Sequence, residues 1–122
     1  MTKFTVSRKR WLRGEGSDAS TLLRQKDSKM CCLGFFAMQV CGAKESDIYD
    51  LQAPSCAWRT VKWPEKVWRE NDMNGERSAA RESMEINGLM QINDEVNLSE
   101  IDREAMLKED FKAFGYEVEF VD

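Results

Sequence analysis

Four cysteines are the side chains of this 122-residue sequence best suited to holding a metal. Thiolates bind zinc strongly without imidazole, so Cys31, Cys32, Cys41 and Cys56, or three of them with a carboxylate, would suit a structural Zn2+ site. The spacing opposes that reading. Zinc knuckles place two cysteines two to four residues apart, whereas here an adjacent pair is followed by gaps of nine and fifteen positions. On one helix, at about 100° per residue, Cys31 and Cys41 would stand about 80° apart and Cys32 would face elsewhere. A site would need the helix to begin after Cys32. The competing expectation is that the thiols pack as small core hydrophobes, and the spacing favours it. In a reducing compartment an even cysteine count implies little about disulfides.

The sequence contains no histidine. The one side chain whose ordinary pKa lies near neutrality is therefore missing, which excludes Ser-His-Asp and Cys-His catalysis, His-ligated catalytic zinc and facial-triad iron. No Walker-type or dinucleotide-binding glycine pattern is present; Gly14-Glu15-Gly16 lacks the third glycine and does not bridge a strand to a helix. No calcium-type Asp-x-Asp-x-Asp-Gly loop occurs, and Asn93-Asp94-Glu95 alone is weak. Carboxylates, lysines or cysteines with shifted pKa values remain as routes to catalysis, but no constellation of them stands out. A non-catalytic protein is expected.

Two patterns bear on binding. Arg8, Lys9, Arg10 and Arg13, interleaved with Trp11, could follow a phosphate backbone while the indole stacks on a base. The rest of the chain opposes this. Residues 1–61 carry 10 Lys/Arg against 6 Asp/Glu, a balance of +4, and residues 62–122 carry 8 against 16, a balance of −8. A basic end and an acidic end can attract each other within one fold, and the acidic half would repel phosphate. It suits docking on a basic surface instead. Trp63 and Trp68, which with Trp58 form a tryptophan-rich stretch, could anchor a partner as rigid aromatic rings do, although each is more readily a core residue. Glu117 and Glu119 should share the solvent face of a strand, where a row of carboxylates could imitate phosphate or meet Arg and Lys.

The elements that would position these residues follow from periodicity. Phe4 and Val6 alternate with polar residues over 3–7, a short strand. Gly14 to Asp18 is turn-rich, and residues 21–24 suggest a second strand. Residues 30–41 form a helix apolar almost all round, stopped by Gly42. A short helix is expected at 46–51, a strand at 57–62, and a helix beginning at Trp63-Pro64. Asn74-Gly75 marks a turn, and residues 77–86 look helical. Ser99 and Asp102 resemble a capping box with Asp in place of Glu. Leu107, Phe111 and Phe114 then lie on one helical stripe, Gly115 ends the helix, and Tyr116 to Phe120 alternate as a strand with Tyr116, Val118 and Phe120 inward.

Composition frames the whole. The sequence is 42% apolar and 33% charged, with six Phe, four Trp and two Tyr, which is globular rather than disordered. The expected fold class is α+β, one domain over residues 1–122, with a small sheet packed against about three helices. Its strands are those near 3–7 and 116–121, set against the helices near 30–41 and 100–114. The longest apolar run, Met30 to Val40, is too short to span a membrane, and no apolar segment follows the basic N-terminal residues as in a signal peptide. A cytoplasmic location is expected.

The blocks Arg10-Trp11-Leu12-Arg13-Gly14-Glu15-Gly16, Leu22-Leu23-Arg24 and Lys29-Met30-Cys31-Cys32-Leu33-Gly34-Phe35 resemble small phage and prophage proteins of unassigned function. So does the ending from Phe114 to Val121. The resemblance covers about half the chain and carries no catalytic or binding motif. It implies a stoichiometric anti-defence protein in a bacterial host cell, in its sharpest form an anti-CRISPR inhibitor that binds a CRISPR effector nuclease. Cysteine-bound zinc is also implied, since some such inhibitors hold it. The expected function is thus a non-catalytic inhibitor acting on a host protein, with a nucleic-acid-binding regulator using Arg8, Lys9, Arg10 and Arg13 as the alternative.

Overall fold

Strand β1 (Thr2–Ser7) and strand β2 (Tyr116–Val121), the first and last elements of the chain, pair side by side in a two-stranded parallel sheet. The computed structural model describes residues 1–69 and 81–122. Between the strands lie α1 (Cys32–Gln39), α2 (Glu45–Ile48), α3 (Met84–Asp94) and α4 (Glu100–Phe114), with short 3-10 turns at Arg8–Arg10, Pro54–Ala57 and Glu65–Val67. The architecture is α+β, as the alternation and stripe patterns imply.

Two strands alone are marginal in water, so the sheet depends on what covers it. Phe4 lies opposite Val118 and Val6 opposite Phe120, and all four side chains are buried. The Phe4 ring meets Phe36 of α1 edge-on at 5.5 Å and Phe111 of α4 at 5.0 Å, a geometry that adds to simple burial. The free edge of β1 is closed locally. The Gln39 side chain accepts from the Thr5 N–H at 2.9 Å and donates to the Thr5 carbonyl at 2.7 Å, blunting an edge that could otherwise pair with another chain.

Helix α4 has the ends the sequence implies. Ser99 Oγ accepts from the Asp102 N–H at 3.1 Å, and Gly115 closes the helix at φ +102°. Its Leu107, Phe111 and Phe114 stripe is buried. In α1 every residue from Cys32 to Ala37 is buried, and the chain leaves through Gly42 at φ +69°, three residues beyond the helix end.

Four local expectations are corrected. Residues 21–24 form only isolated bridges, Leu23 with Tyr49 and Arg24 with Lys29; Leu22 and Leu23 are both fully buried, so the segment is enclosed on both sides instead of alternating. The 57–62 strand is absent, and a 3-10 turn over Pro54–Ala57 precedes the buried Val61. Pro64 caps a single 3-10 turn, not a longer helix. Helix α3 starts where the 77–86 helix should have ended: residues 81–83 are extended, with Glu82 bridged to Trp68. Residues 77–80 and the Asn74-Gly75 turn lie outside the described residues. Asn87 and Gly88 make α3 a poor helix by propensity. Burial of Ile86, Leu89 and Asn93 overrides that.

Candidate functional site

The N-terminal residues that looked able to follow a nucleic acid are tied down by their own chain. After β1, residues 11–16 run across the C-terminal end of α3, where the buried Asn93 uses its whole amide. Its Oδ1 accepts from Trp11 Nε1 at 2.8 Å and from the Cys32 N–H at 3.0 Å, while its Nδ2 donates to the Leu12 carbonyl at 3.0 Å and to Asp94 Oδ1 at 2.9 Å. Gly14 and Gly16, at φ +68° and +87°, let the backbone turn close enough to donate to the carbonyls of Asn93 and Asp94. The Arg10–Gly16 pattern is therefore built around Asn93.

Arg103 of α4 completes this junction. It is 1% exposed, and its guanidinium donates to the carbonyls of Ile92, Asn93, Glu95 and Leu98 at 2.6–3.2 Å. These include the unsatisfied end of α3, where a cation also meets the negative end of the helix dipole. Glu100 lies 3.5 Å from its Nε and also pairs with Arg13, whose guanidinium stacks 4.4 Å from the Trp11 ring. Arg8 forms a two-pronged pair with Glu104, both bonds 2.8 Å, and lies 3.6 Å from Asp122. Arg10 donates to the Ser28 carbonyl; Lys9 is exposed. The basic and acidic halves attract each other as their charge balance implies.

The cysteines are dispersed. All four are free thiols; Cys31 and Cys32 are buried, Cys41 is half-buried and Cys56 is exposed. Among the described residues no group of three or more Cys, Asp or Glu side chains is arranged to hold a metal. Cys31 and Cys32 sit at the N-terminus of α1, a position that ordinarily lowers a thiol pKa. Burial outweighs it. Desolvation pushes Cys31 up to about 12 against the opposing amides of Gly34 and Leu33, carries Cys32 well above its usual range, and raises Cys41 to about 12.

These thiols imply a definite alkaline response. The unfolded chain releases their protons near pH 9, whereas the folded chain holds those of Cys31 and Cys41 to about 12 and that of Cys32 well above its usual range. Their contribution is thus complete below pH 9 and is lost as pH rises toward 12, at roughly 1.4 kcal/mol per pH unit for each fully buried thiol. Urea midpoints from pH 8 to 10.5 should fall, and Cys31→Ala should fall less steeply. Parallel slopes for both proteins would contradict the assignment.

Trp63 and Trp68 are enclosed. Trp63 Nε1 donates to the Ala57 carbonyl, its ring faces Phe36, and Trp68 meets it edge-on at 6.5 Å. Both are buried in this conformation, the core placement more readily expected of each. Trp58 is half-buried beneath Arg59. Glu117 and Glu119 do face solvent, but Glu119 pairs with Lys3, and Lys3, Lys108 and Lys112 border the same shallow recess. That face is mixed in charge, not a carboxylate row.

The surface left over is the outer side of α4. Asp102, Met106, Glu109 and Ala113 share one helical face by spacing, with Ile101 and Asp110 beside them. Ile101 is 83% exposed and Met106 is 41% exposed. Asp102, Glu109 and Asp110 are exposed and enter no ion pair seen among the described residues. Periodicity alone marked only the buried stripe of this helix. Its opposite face could be recognised only once Arg8 and Arg13 had been assigned to Glu104 and Glu100.

No protein-family model, curated protein or solved structure matches this chain. Among the described residues no helix is long and apolar enough to cross a membrane.

Proposed function

We propose that this chain is a non-catalytic inhibitor that works by binding a protein, in its sharpest form a phage anti-defence protein that blocks a CRISPR effector nuclease. The observation that carries the reading is the outer face of α4. Three exposed carboxylates that enter no ion pair among the described residues, Asp102, Glu109 and Asp110, flank the exposed Ile101 and Met106. Exposed apolar side chains among unpaired charges of one sign fit a basic, partly apolar protein surface, where charge speeds encounter and apolar contact holds the complex. Nuclease surfaces that hold nucleic acid are basic in this way. The high pKa values of the buried thiols support a role without covalent chemistry, because the thiolate is the nucleophile.

Immobilised protein incubated with bacterial lysates containing CRISPR effectors should retain one effector stoichiometrically and inhibit its cleavage of DNA. Asp102→Lys combined with Asp110→Lys, both on exposed positions, should weaken that capture at least tenfold. Failure to retain or inhibit any effector, or inhibition at far less than one copy per effector, would end this reading. The geometry does not favour nucleic-acid binding, since Arg8 and Arg13 are already paired with carboxylates.

A further inference from the structure

A groove of about 660 Å³ lies between the Gly16–Ser20 turn and the side of α3, away from the outer face of α4 described above. Its polar lining includes Ser20, Gln52, Asn87, Gln91 and Asp94, and among the described residues no Lys or Arg side chain contributes to it. Asp94 is the key residue. It ends α3 next to Asn93, so its position is set by the junction that holds residues 11–16.

A carboxylate offers about four acceptor positions. In Asp94 one is taken by Asn93 Nδ2 at 2.9 Å, and the neighbouring Ser20 hydroxyl favours its charged form. Among the described residues at least two remain open, the number that a forked guanidinium fills. Arg103, whose charge acts on Asp94, forms no ion pair with it and donates instead to four backbone carbonyls. Desolvation by half-burial raises the Asp94 carboxyl above its ordinary range, against the lowering effect of Asn93, Ser20 and Arg103. Glu95 lines the same groove, so the two carboxylates outweigh the single charge of Arg103.

We propose that this groove receives an arginine side chain of the protein partner, with Asp94 as its counter-ion. Two guanidinium N–H groups meet the open acceptor positions of Asp94. The side-chain oxygens of Gln52, Asn87 and Gln91 can accept from the others, of which a guanidinium has five in all. Met90 and Val96, which also line the groove, can cover the arginine's aliphatic stem, as apolar walls do for long cationic side chains. Lysine fits less well, because a compact ammonium cannot fill two parallel acceptor positions. The proposal rests on the protein-binding reading above and adds the chemistry of one contact.

The test uses a short probe peptide, acetyl-Gly-Arg-Gly-amide, titrated into the isotope-labelled full chain and followed by NMR, with lysine and citrulline versions as comparisons. Citrulline keeps the shape of arginine without its charge. Saturable shifts confined to Ser20, Gln52, Asn87, Gln91 and Asp94 are expected, with a dissociation constant on the order of millimolar, as suits one isolated contact. The lysine peptide should bind several-fold more weakly and the citrulline peptide at least tenfold more weakly. Asp94→Asn should cost the arginine peptide at least tenfold. Gln91→Lys, at an exposed position, should abolish binding by placing a tethered ammonium in the groove. Equal binding of the citrulline peptide, unchanged binding to Gln91→Lys, or no saturable shift at these residues would overturn the proposal. Because the probe contains no partner, a negative result here leaves capture of an effector through α4 as a separate question. Conversely, a positive titration would stand even if no effector were captured.

Discussion

Replacing Asn93 with alanine is expected to bring the protein close to unfolding. The substitution removes both atoms of an amide that is 1% exposed and leaves Trp11 Nε1, the Cys32 N–H and the Leu12 carbonyl without their partner. Each buried group so orphaned costs about 1–3 kcal/mol, so the three together put about 3–9 kcal/mol at stake, where domains typically have only about 5–15. Asn93→Asp should be no better. It preserves shape but turns two donors into acceptors, facing the Leu12 carbonyl and the Asp94 carboxyl, and buries a new negative charge beside an existing one. Urea titration followed by tryptophan fluorescence would measure both. A loss below about 1 kcal/mol for Asn93→Ala would show that water can replace the amide and that the junction is less closed than its burial implies.

Gly34→Ala is expected to be the second severe substitution, by a different mechanism. A Cβ built at Gly34 would lie 1.9 Å from the Leu22 carbonyl oxygen and 2.9 Å from both the Leu22 carbonyl carbon and Met30 Cβ. The first two are backbone atoms, so no rotamer change relieves the clash. Either α1 must withdraw from residues 21–23, giving up the Cys31–Thr21 backbone bond, or the helix must bend. Overpacking ordinarily costs about 1–3 kcal/mol, and a backbone collision belongs above that range. The expected result is a protein recovered insoluble or with its urea midpoint far below that of wild type. Gly88→Ala makes the informative comparison, because a Cβ there meets nothing within 4 Å. It should be neutral or slightly stabilising, since alanine favours a helix interior by roughly 1 kcal/mol. If Gly34→Ala behaved like Gly88→Ala, the close approach of α1 to residue 22 would be refuted.

How legible each part of the molecule was depends on whether its signal was local. The Ser99 cap, the Leu107, Phe111 and Phe114 stripe, the Gly115 stop and the alternation from Tyr116 to Phe120 all lie within 22 residues, and all appear in place. Residues 21–24 misled because consecutive buried leucines have no period to read. Helix α3 misled because its stability comes from burial against residues far away in sequence. The cysteine pair was read ambiguously for a related reason: whether Cys31 and Cys32 are reactive or inert depends on whether the α1 N-terminus is buried, which no spacing reveals.

By itself the amino-acid order determined the class of the fold, the pairing of its terminal strands with two helices, and the absence of imidazole chemistry, because periodicity and composition act over neighbouring residues. Tertiary structure alone decided which charges are left for a partner. It joined Arg8 to Glu104 and Arg13 to Glu100 across about ninety residues, enclosed Arg103 and Asn93 at the end of α3, and left Asp94 half-buried with no ion pair among the described residues. Electrostatic and hydrogen-bond partners are set by proximity in space. A sequence lists the charges, and only the folded chain shows which of them are already neutralised.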